Sequence, residues 1–237
     1  MLLDRIEKIE LRWRLLFVIV VQLIYMVASR IIEREADSFA EEEILRTPWR
    51  IGAAILFWIA MRDVLTRPVR RPETLRSRPF LIGLAFMMAA PALAFDHQLP
   101  AYDEFILAVT AIPVGFAEEL FARGIVQTLC VARWGAWRGV AISTGVFTAY
   151  HLGVAPGGEF ILNYVSIALG GLLFGLIYLK SGSLLAVIIL HDLYDALISL
   201  PRVFGAASED LGIILEAIAV LYLLIWTTSK KDPLAKF

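Results

Sequence analysis

Residues 104–131 read EFILAVTAIPVGFAEELFARGIVQTLCV. The run exceeds the roughly 20 apolar residues that cross a bilayer as a helix, yet Glu118, Glu119 and Arg123 sit within it. A charged side chain at the centre of a membrane helix costs about 2.5–3.5 kcal/mol on insertion scales, so such residues imply a partner or a function. Glu119 and Arg123 are i and i+4, on one face and within ion-pair reach. Glu118 is turned away from Glu119 by about 100° through the 3.6-residue period. The spacing predicts a division of roles, with Glu119 neutralised by Arg123 and Glu118 left free for a water molecule or a metal. Pro113, one to two turns earlier, is expected to kink the helix.

The rest of the chain has the same character. At 59% hydrophobic residues and a mean hydropathy of +0.73, 237 residues cannot present the polar surface of a soluble domain. The expectation is an all-α polytopic transmembrane helical bundle forming one membrane-embedded domain over 1–237. Eight apolar stretches fall at 13–31, 49–65, 79–95, 104–131, 138–154, 160–179, 183–200 and 211–227. Helix is expected throughout, because a chain in lipid must satisfy its own backbone polar groups. A net charge of −1 leaves no basic face for a nucleic acid. The lone Cys130 excludes an intrachain disulfide and a thiolate metal site. Met1–Arg14 reads as a retained interfacial segment ahead of the first span.

Arg and Lys residues set the expected orientation. With the N-terminus inside, the outside segments hold only Arg30, Arg34, Arg46, Arg50 and Arg202, while the remaining basic residues fall inside. Eight helices with both termini cytoplasmic account for this bias. Glu41–Glu43 then reads as a solvated outside loop, as does His97 beside Asp96. Gly171-x-x-x-Gly175 reads as a close-packing helix face.

Further polar residues interrupt later spans. His151 lies in the fifth stretch, preceded at i−4 by Phe147, which places an aromatic ring beside the imidazole. His191 and Asp195, in the seventh, are i and i+4 and share a face. By helix rise, Glu118 lies ~22 Å from Arg133, His151 ~20 Å from Arg138 and His191 ~16 Å from Lys180. These depths agree if the fourth helix continues past Arg123. Glutamates and histidines meeting at such a depth can move protons, hold a metal or polarise a carbonyl. Other intramembrane chemistries fit poorly. Ser143, Ser166, Ser181, Ser183 and Ser199 occupy no nucleophile turn, and no Gly-x-Gly-Asp sequence or phosphate-cradling loop is present. Two His and two Glu side chains could ligate zinc, although no His-Glu-x-x-His helix occurs.

The strings Glu118-Glu119-x-x-x-Arg123, Phe147-x-x-x-His151 and His191-x-x-x-Asp195, in this order on successive apolar helices, resemble the three motifs of the CAAX protease and bacteriocin-processing (CPBP, or Abi) intramembrane proteases. The resemblance covers about residues 104–200, the expected catalytic core. It implies an endopeptidase in which Glu118 is the general base, His151 its partner in activating water, and His191 and Asp195 bind the developing oxyanion or orient the site. Glu119, Arg123 and Phe147 would support them. Many relatives carry Asn where this chain has Asp195; an ionised Asp cannot donate to an oxyanion, so here it would fix the His191 tautomer or carry a proton itself. The family has been described both as metallo- and as glutamate-type. A metal-free, glutamate-type mechanism is favoured, and a zinc ion, if used, would take Glu118, His151 and His191.

The expected substrate is a membrane-associated or lipid-modified protein or peptide, reached laterally or from the cytoplasmic side. The expected location is a prokaryotic cytoplasmic membrane, with the lipid bilayer as the other partner; the sequence leaves the oligomeric state open. Two other classes compete. A non-catalytic scaffold or bacteriocin-immunity-type binding protein would be expected to have lost one of Glu118, His151 or His191. A proton-coupled transporter would be expected to show an internal repeat, and none is visible.

Overall fold

The computed structural model describes residues 2–66, 75, 77–93, 98–151, 160–204 and 207–228. All regular structure among them is helical. In chain order the elements are α1 (Leu2–Glu35), α2 (Phe39–Leu65), α3 (Arg78–Leu93), α4 (Tyr102–Glu119), a π-helical segment (Leu120–Gln127), α5 (Thr128–Trp134), α6 (Ala136–Tyr150), α7 (Phe160–Ser181), α8 (Leu184–Ile198), the short α9 (Pro201–Phe204) and α10 (Ala207–Thr228). Among the described residues, Glu10–Glu35, Phe39–Leu65, Tyr102–Trp134 and Tyr164–Ser181 are long and apolar enough to cross a membrane, and Arg78–Ala89 and Ile214–Trp226 are shorter apolar helices. The protein is an all-helical integral membrane protein. Trp13, Leu16, Val20, Leu23 and Val27 recur along α1 at helical spacing and are exposed, as a face turned toward acyl chains requires.

Two apolar cores flank the polar centre. Val18 and Val21 of α1, Ala54, Phe57 and Met61 of α2, and Leu120 and Ile125 of the π segment form one. Phe80 and Met87 of α3, Leu173, Leu176 and Ile177 of α7, Leu190 of α8 and Leu223 of α10 anchor the other. Helix α4 lies between them, against α2 on one side and α8 on the other. Gly115 makes the second contact close. A Cβ there would fall 3.0 Å from the Asp192 backbone nitrogen and 3.2 Å from His191 Cβ, so a larger residue would push His191 away from α4. Gly171 faces Phe147 and Thr144, and Gly175 faces Val140 and Gln127, which is the close-packing face expected of that pair.

Several expectations need correction. The first helix runs unbroken from Leu2, so Leu2–Arg14 continues into the first span without a break; Arg14 forms a bidentate pair with Asp63 of α2, at 2.9 and 2.8 Å. Glu41–Glu43 is not a loop. Ser38 caps α2 by accepting from the Glu41 backbone N–H, and the helix starts ten residues before the expected boundary. Glu42 and Glu43 are 9% and 6% exposed. Glu42 pairs with Arg46 at i+4, and Glu43 with both Arg46 and Arg50. Apolarity alone missed this turn because its polar residues neutralise one another instead of meeting water. Arg46 and Arg50 are thus buried partners, not outside-loop charges. Helix α6 ends at Tyr150, with His151 as its C-cap. Asp96, His97, residues 152–159 and Lys230, Lys231 and Lys236 lie outside the described residues.

Removing one member of a buried ion-pair cluster strands its partners at a cost of about 3–5 kcal/mol. Glu43→Ala is therefore expected to lower the melting temperature in detergent markedly, whereas the exposed Glu41→Ala should leave it almost unchanged. Equal melting of the two variants would contradict the cluster.

Candidate active site

The centre is built on the end of α4. Glu119 and Arg123 are both fully buried, and Arg123 Nε donates to Glu119 Oε2 at 3.0 Å. The pair survives a change of helix type, since Leu120–Gln127 is π-helical, a form that concentrates at functional sites. The wider turn brings Arg123, Gln127 and Thr128 inward together. Thr128 Oγ1 donates to the Arg123 carbonyl at 3.0 Å, and Gln127 Nε2 donates to the Gly175 carbonyl at 2.8 Å. Arg123 Nη1 donates to Ser143 Oγ of α6, which in turn donates to the Ala122 carbonyl, both at 2.8 Å. The guanidinium carbon lies 4.8 Å from the centre of the Phe147 ring, a cation–π contact. Phe147 therefore supports Arg123 as well as packing 4.7 Å from the His151 ring.

Glu119 has a second task that its spacing to Arg123 does not show. Its Oε1 lies 3.0 Å from His191 Nδ1. A carboxylate already paired with arginine accepts, so this nitrogen carries the proton and Nε2 is left bare in the neutral ring. Phe174 stacks on the other side of the imidazole at 4.8 Å and 20°. Glu119 thus holds one edge of the His191 ring, and Asp195 Oδ2 sits 3.4 Å from Nε2 on the other. His151 is held in the same sense. Its Nδ1 lies 2.8 Å from the Phe147 carbonyl, and since a carbonyl only accepts, Nδ1 again carries the proton and Nε2 is free.

Both free nitrogens face Glu118. His151 Nε2 is 3.6 Å and His191 Nε2 3.9 Å from Glu118 Oε2. That oxygen is buried without a hydrogen-bond partner. Glu118, His151, His191 and Asp195, which the sequence placed on three separate stretches, converge in space, with Glu119, Arg123 and Phe147 behind them. Among the described residues no group of three or more His, Cys, Asp or Glu side chains is spaced to hold a metal ion; the donor set as placed does not form a coordination sphere.

A cavity of about 310 Å³ adjoins Glu118, His151 and Asp195. It extends past Thr110 and Leu107 of α4 to Ser29 of α1, Phe39 of α2 and Ser199 after α8. It reaches the end of the bundle that carries the α1–α2 turn. Arg50, Glu43, Arg46, Tyr25 and Tyr150 form one wall, and none of them was recognised from sequence as belonging to the site. The signal was the i, i+4 series Glu42, Arg46, Arg50, which is hard to explain in a solvated loop. A second space of about 20 Å³ lies against Glu118, Tyr25, Arg50 and Tyr150, large enough for one water.

With this geometry in view, the match of residues 101–197 to the family model "Type II CAAX prenyl endopeptidase Rce1-like" falls on the site itself. Over this segment the chain is similar to the CAAX-protease family. Searches among curated proteins and among solved structures gave no match. The Rce1-like segment begins one residue before α4 and ends within the last turn of α8, so it contains all three motifs. Helices α1 and α2, which supply the Arg50 wall, lie outside it.

Because Glu119 and Arg123 are fully enclosed, Arg123→Ala leaves a buried carboxylate facing His191 without its cation, at a cost of about 3–5 kcal/mol. Lower expression and a depressed melting temperature are expected; a wild-type melting curve would contradict the pairing.

Proposed function

We propose that this protein is an intramembrane endopeptidase that hydrolyses a peptide bond of a membrane-associated or lipid-modified protein or peptide with water activated by Glu118 and His151. One observation carries the reading. Glu118 Oε2, which has no hydrogen-bond partner, faces His151 Nε2 at 3.6 Å and His191 Nε2 at 3.9 Å around one small space. Acceptors that face one another need a species with protons to give, and water meets that need. The Rce1-like match supports the same reaction class.

In this reading a water donates to Glu118 and His151, and its oxygen attacks the scissile carbonyl carbon. One water proton passes to the Glu118 carboxylate as the C–O bond forms, and the carbonyl electron pair moves onto oxygen. His191, anchored by Glu119, and Asp195 orient the addition complex. Collapse restores the carbonyl and breaks the C–N bond, while the proton held by Glu118 passes to the leaving nitrogen. Arg123 neutralises Glu119, so Glu119 does not oppose a negative charge on Glu118. No step requires a metal. Zinc held by Glu118, His151 and His191 is the competing arrangement, and the two are separated by experiment: the metal-free reading expects full activity and no stoichiometric zinc in purified protein after dialysis against a chelator, whereas activity lost and restored by zinc would overturn it. The orientation that accompanies this reading is both termini on the cytoplasmic side of a prokaryotic cytoplasmic membrane, with 104–200 as the catalytic core of a single domain.

The deciding experiment compares membrane and secreted protein termini by mass spectrometry in source cells carrying the wild type or Glu118→Ala at equal abundance. Termini that appear only with the wild type are expected, and they identify the substrate. Identical termini, with Glu118→Ala still supporting the wild-type phenotype, would replace the protease with a binding protein.

A further inference from the structure

The cavity beside Glu118 runs along the α1–α2 hairpin, where the two helices meet in matched rungs. In the rung nearest the centre, Arg50 Nε donates to Tyr25 Oη at 2.8 Å, and both terminal nitrogens of Arg50 go to Glu43. Every nitrogen of Arg50 is thereby engaged, and Tyr25, Arg50 and Glu118 share the smaller space of the site. One turn along each helix toward the α1–α2 turn, Arg46 Nη2 donates to the Ser29 carbonyl at 3.2 Å. Ser29 and Arg46 form this second rung, and both line the larger cavity together with Glu118.

The second rung differs from the first in what it leaves over. Arg46 Nη1 donates to Glu43 at 3.2 Å, and Nη2 also meets Glu42. Arg46 Nε and Ser29 Oγ are buried, and neither has a hydrogen-bond partner among the described residues. Arg46 as a whole is only 8% exposed. A buried donor left unpaired is costly, and two on adjacent residues of one cavity wall mark a place shaped for an acceptor. The charge of Arg46 is already met by Glu42 and Glu43, so the acceptor that fits is neutral. A peptide carbonyl meets these terms, because it is uncharged and has two lone pairs, one for each donor.

The spacing of the rungs gives the register. At 1.5 Å per residue the second rung lies about 6 Å beyond the first, a distance that an extended chain covers in about two residues. We propose that Arg46 Nε–H and Ser29 Oγ–H form a substrate subsite that takes a main-chain carbonyl of the peptide about two residues from the scissile bond. The proposal rests on the protease reading and deepens it by naming the atoms that hold the substrate. A grip on the main chain is indifferent to side-chain identity, so this subsite sets how the peptide lies against Glu118 and leaves sequence preference to other contacts.

The test uses purified full-length protein in proteoliposomes. The probes are a synthetic peptide spanning the cleavage site found through Glu118-dependent termini, and a series of the same peptide in which one carbonyl oxygen at a time is replaced by sulfur, a weaker acceptor. In the wild type, sulfur at one position about two residues from the scissile bond is expected to raise KM about 3–10-fold with kcat unchanged, the scale of one neutral hydrogen bond. Ser29→Ala is expected to raise KM for the all-oxygen peptide by a similar factor, to keep kcat and the melting temperature, and to shrink the sulfur penalty at that position alone. Arg46→Lys keeps the charge beside Glu42 and Glu43 but has no Nε–H, and it should reproduce this pattern; if it melts well below the wild type, Ser29→Ala decides. A wild-type KM in Ser29→Ala, or a sulfur penalty equal in Ser29→Ala and the wild type, overturns the subsite. Either result with cleavage still dependent on Glu118 removes this inference alone; the absence of any Glu118-dependent terminus removes the protease reading together with it.

Discussion

The pairing of Glu119 with Arg123 is the constraint on which the polar centre depends. Both side chains are wholly enclosed, and a buried charge is tolerated only when it is neutralised. The partners come from different helices: Ser143 and the Phe147 ring from α6, His191 from α8. One ion pair on the α4–π junction therefore ties three helices to a common point. It also fixes chemistry, because the carboxylate that Arg123 neutralises is the one that holds His191 Nδ1–H and turns Nε2 toward Glu118.

A second neutralised cluster stands across the cavity. Glu42, Glu43, Arg46 and Arg50 balance one another on α2, Arg50 donates to Tyr25, and the Tyr25 ring stacks on that of Tyr150. Glu118 lies between the two clusters, and its Oε2 has no fixed partner. That asymmetry separates scaffold from reactive group. Carboxylates paired with arginines hold the helices together, and under the proposed reading Glu118, which has no such partner, is the one that reacts.

Much of this was legible in the sequence because membrane interiors make polar residues conspicuous. The helical class followed from length and apolarity, the Glu119–Arg123 pair from i, i+4 spacing, and the shared depth of Glu118, His151 and His191 from helix rise. What was hidden depends on contacts between distant segments or on helix form. The bond from Glu119 to His191 joins residues 72 apart, and no periodicity reports it. The π segment preserves the apolar pattern while altering which residues turn inward. The first turns of α2 carry enough charge to read as a loop, and only the arrangement of Glu43 against Arg46 and Arg50 shows that this charge is internal. Tyr25 reads as an ordinary aromatic residue until the arginine that donates to it is located.

Hydrolysis inside a membrane also requires that water reach the scissile bond while lipid does not. The lipid-facing side of α1 is apolar, whereas the cavity beside Glu118 is walled by Glu43, Arg46 and Arg50 as far as the end of the bundle carrying the α1–α2 turn. A polar wall of this kind is costly next to acyl chains and favourable next to water. The cluster on α2 therefore does more than stabilise its own helix: it gives the centre a hydrated side, and the apolar residues of α4 on the facing wall, Leu107, Ala111 and Val114, give a peptide a dry surface to lie against. A substrate lying along that surface would have Glu118 and His151 at one end of its path, where under the proposed reading the activated water meets the scissile carbonyl.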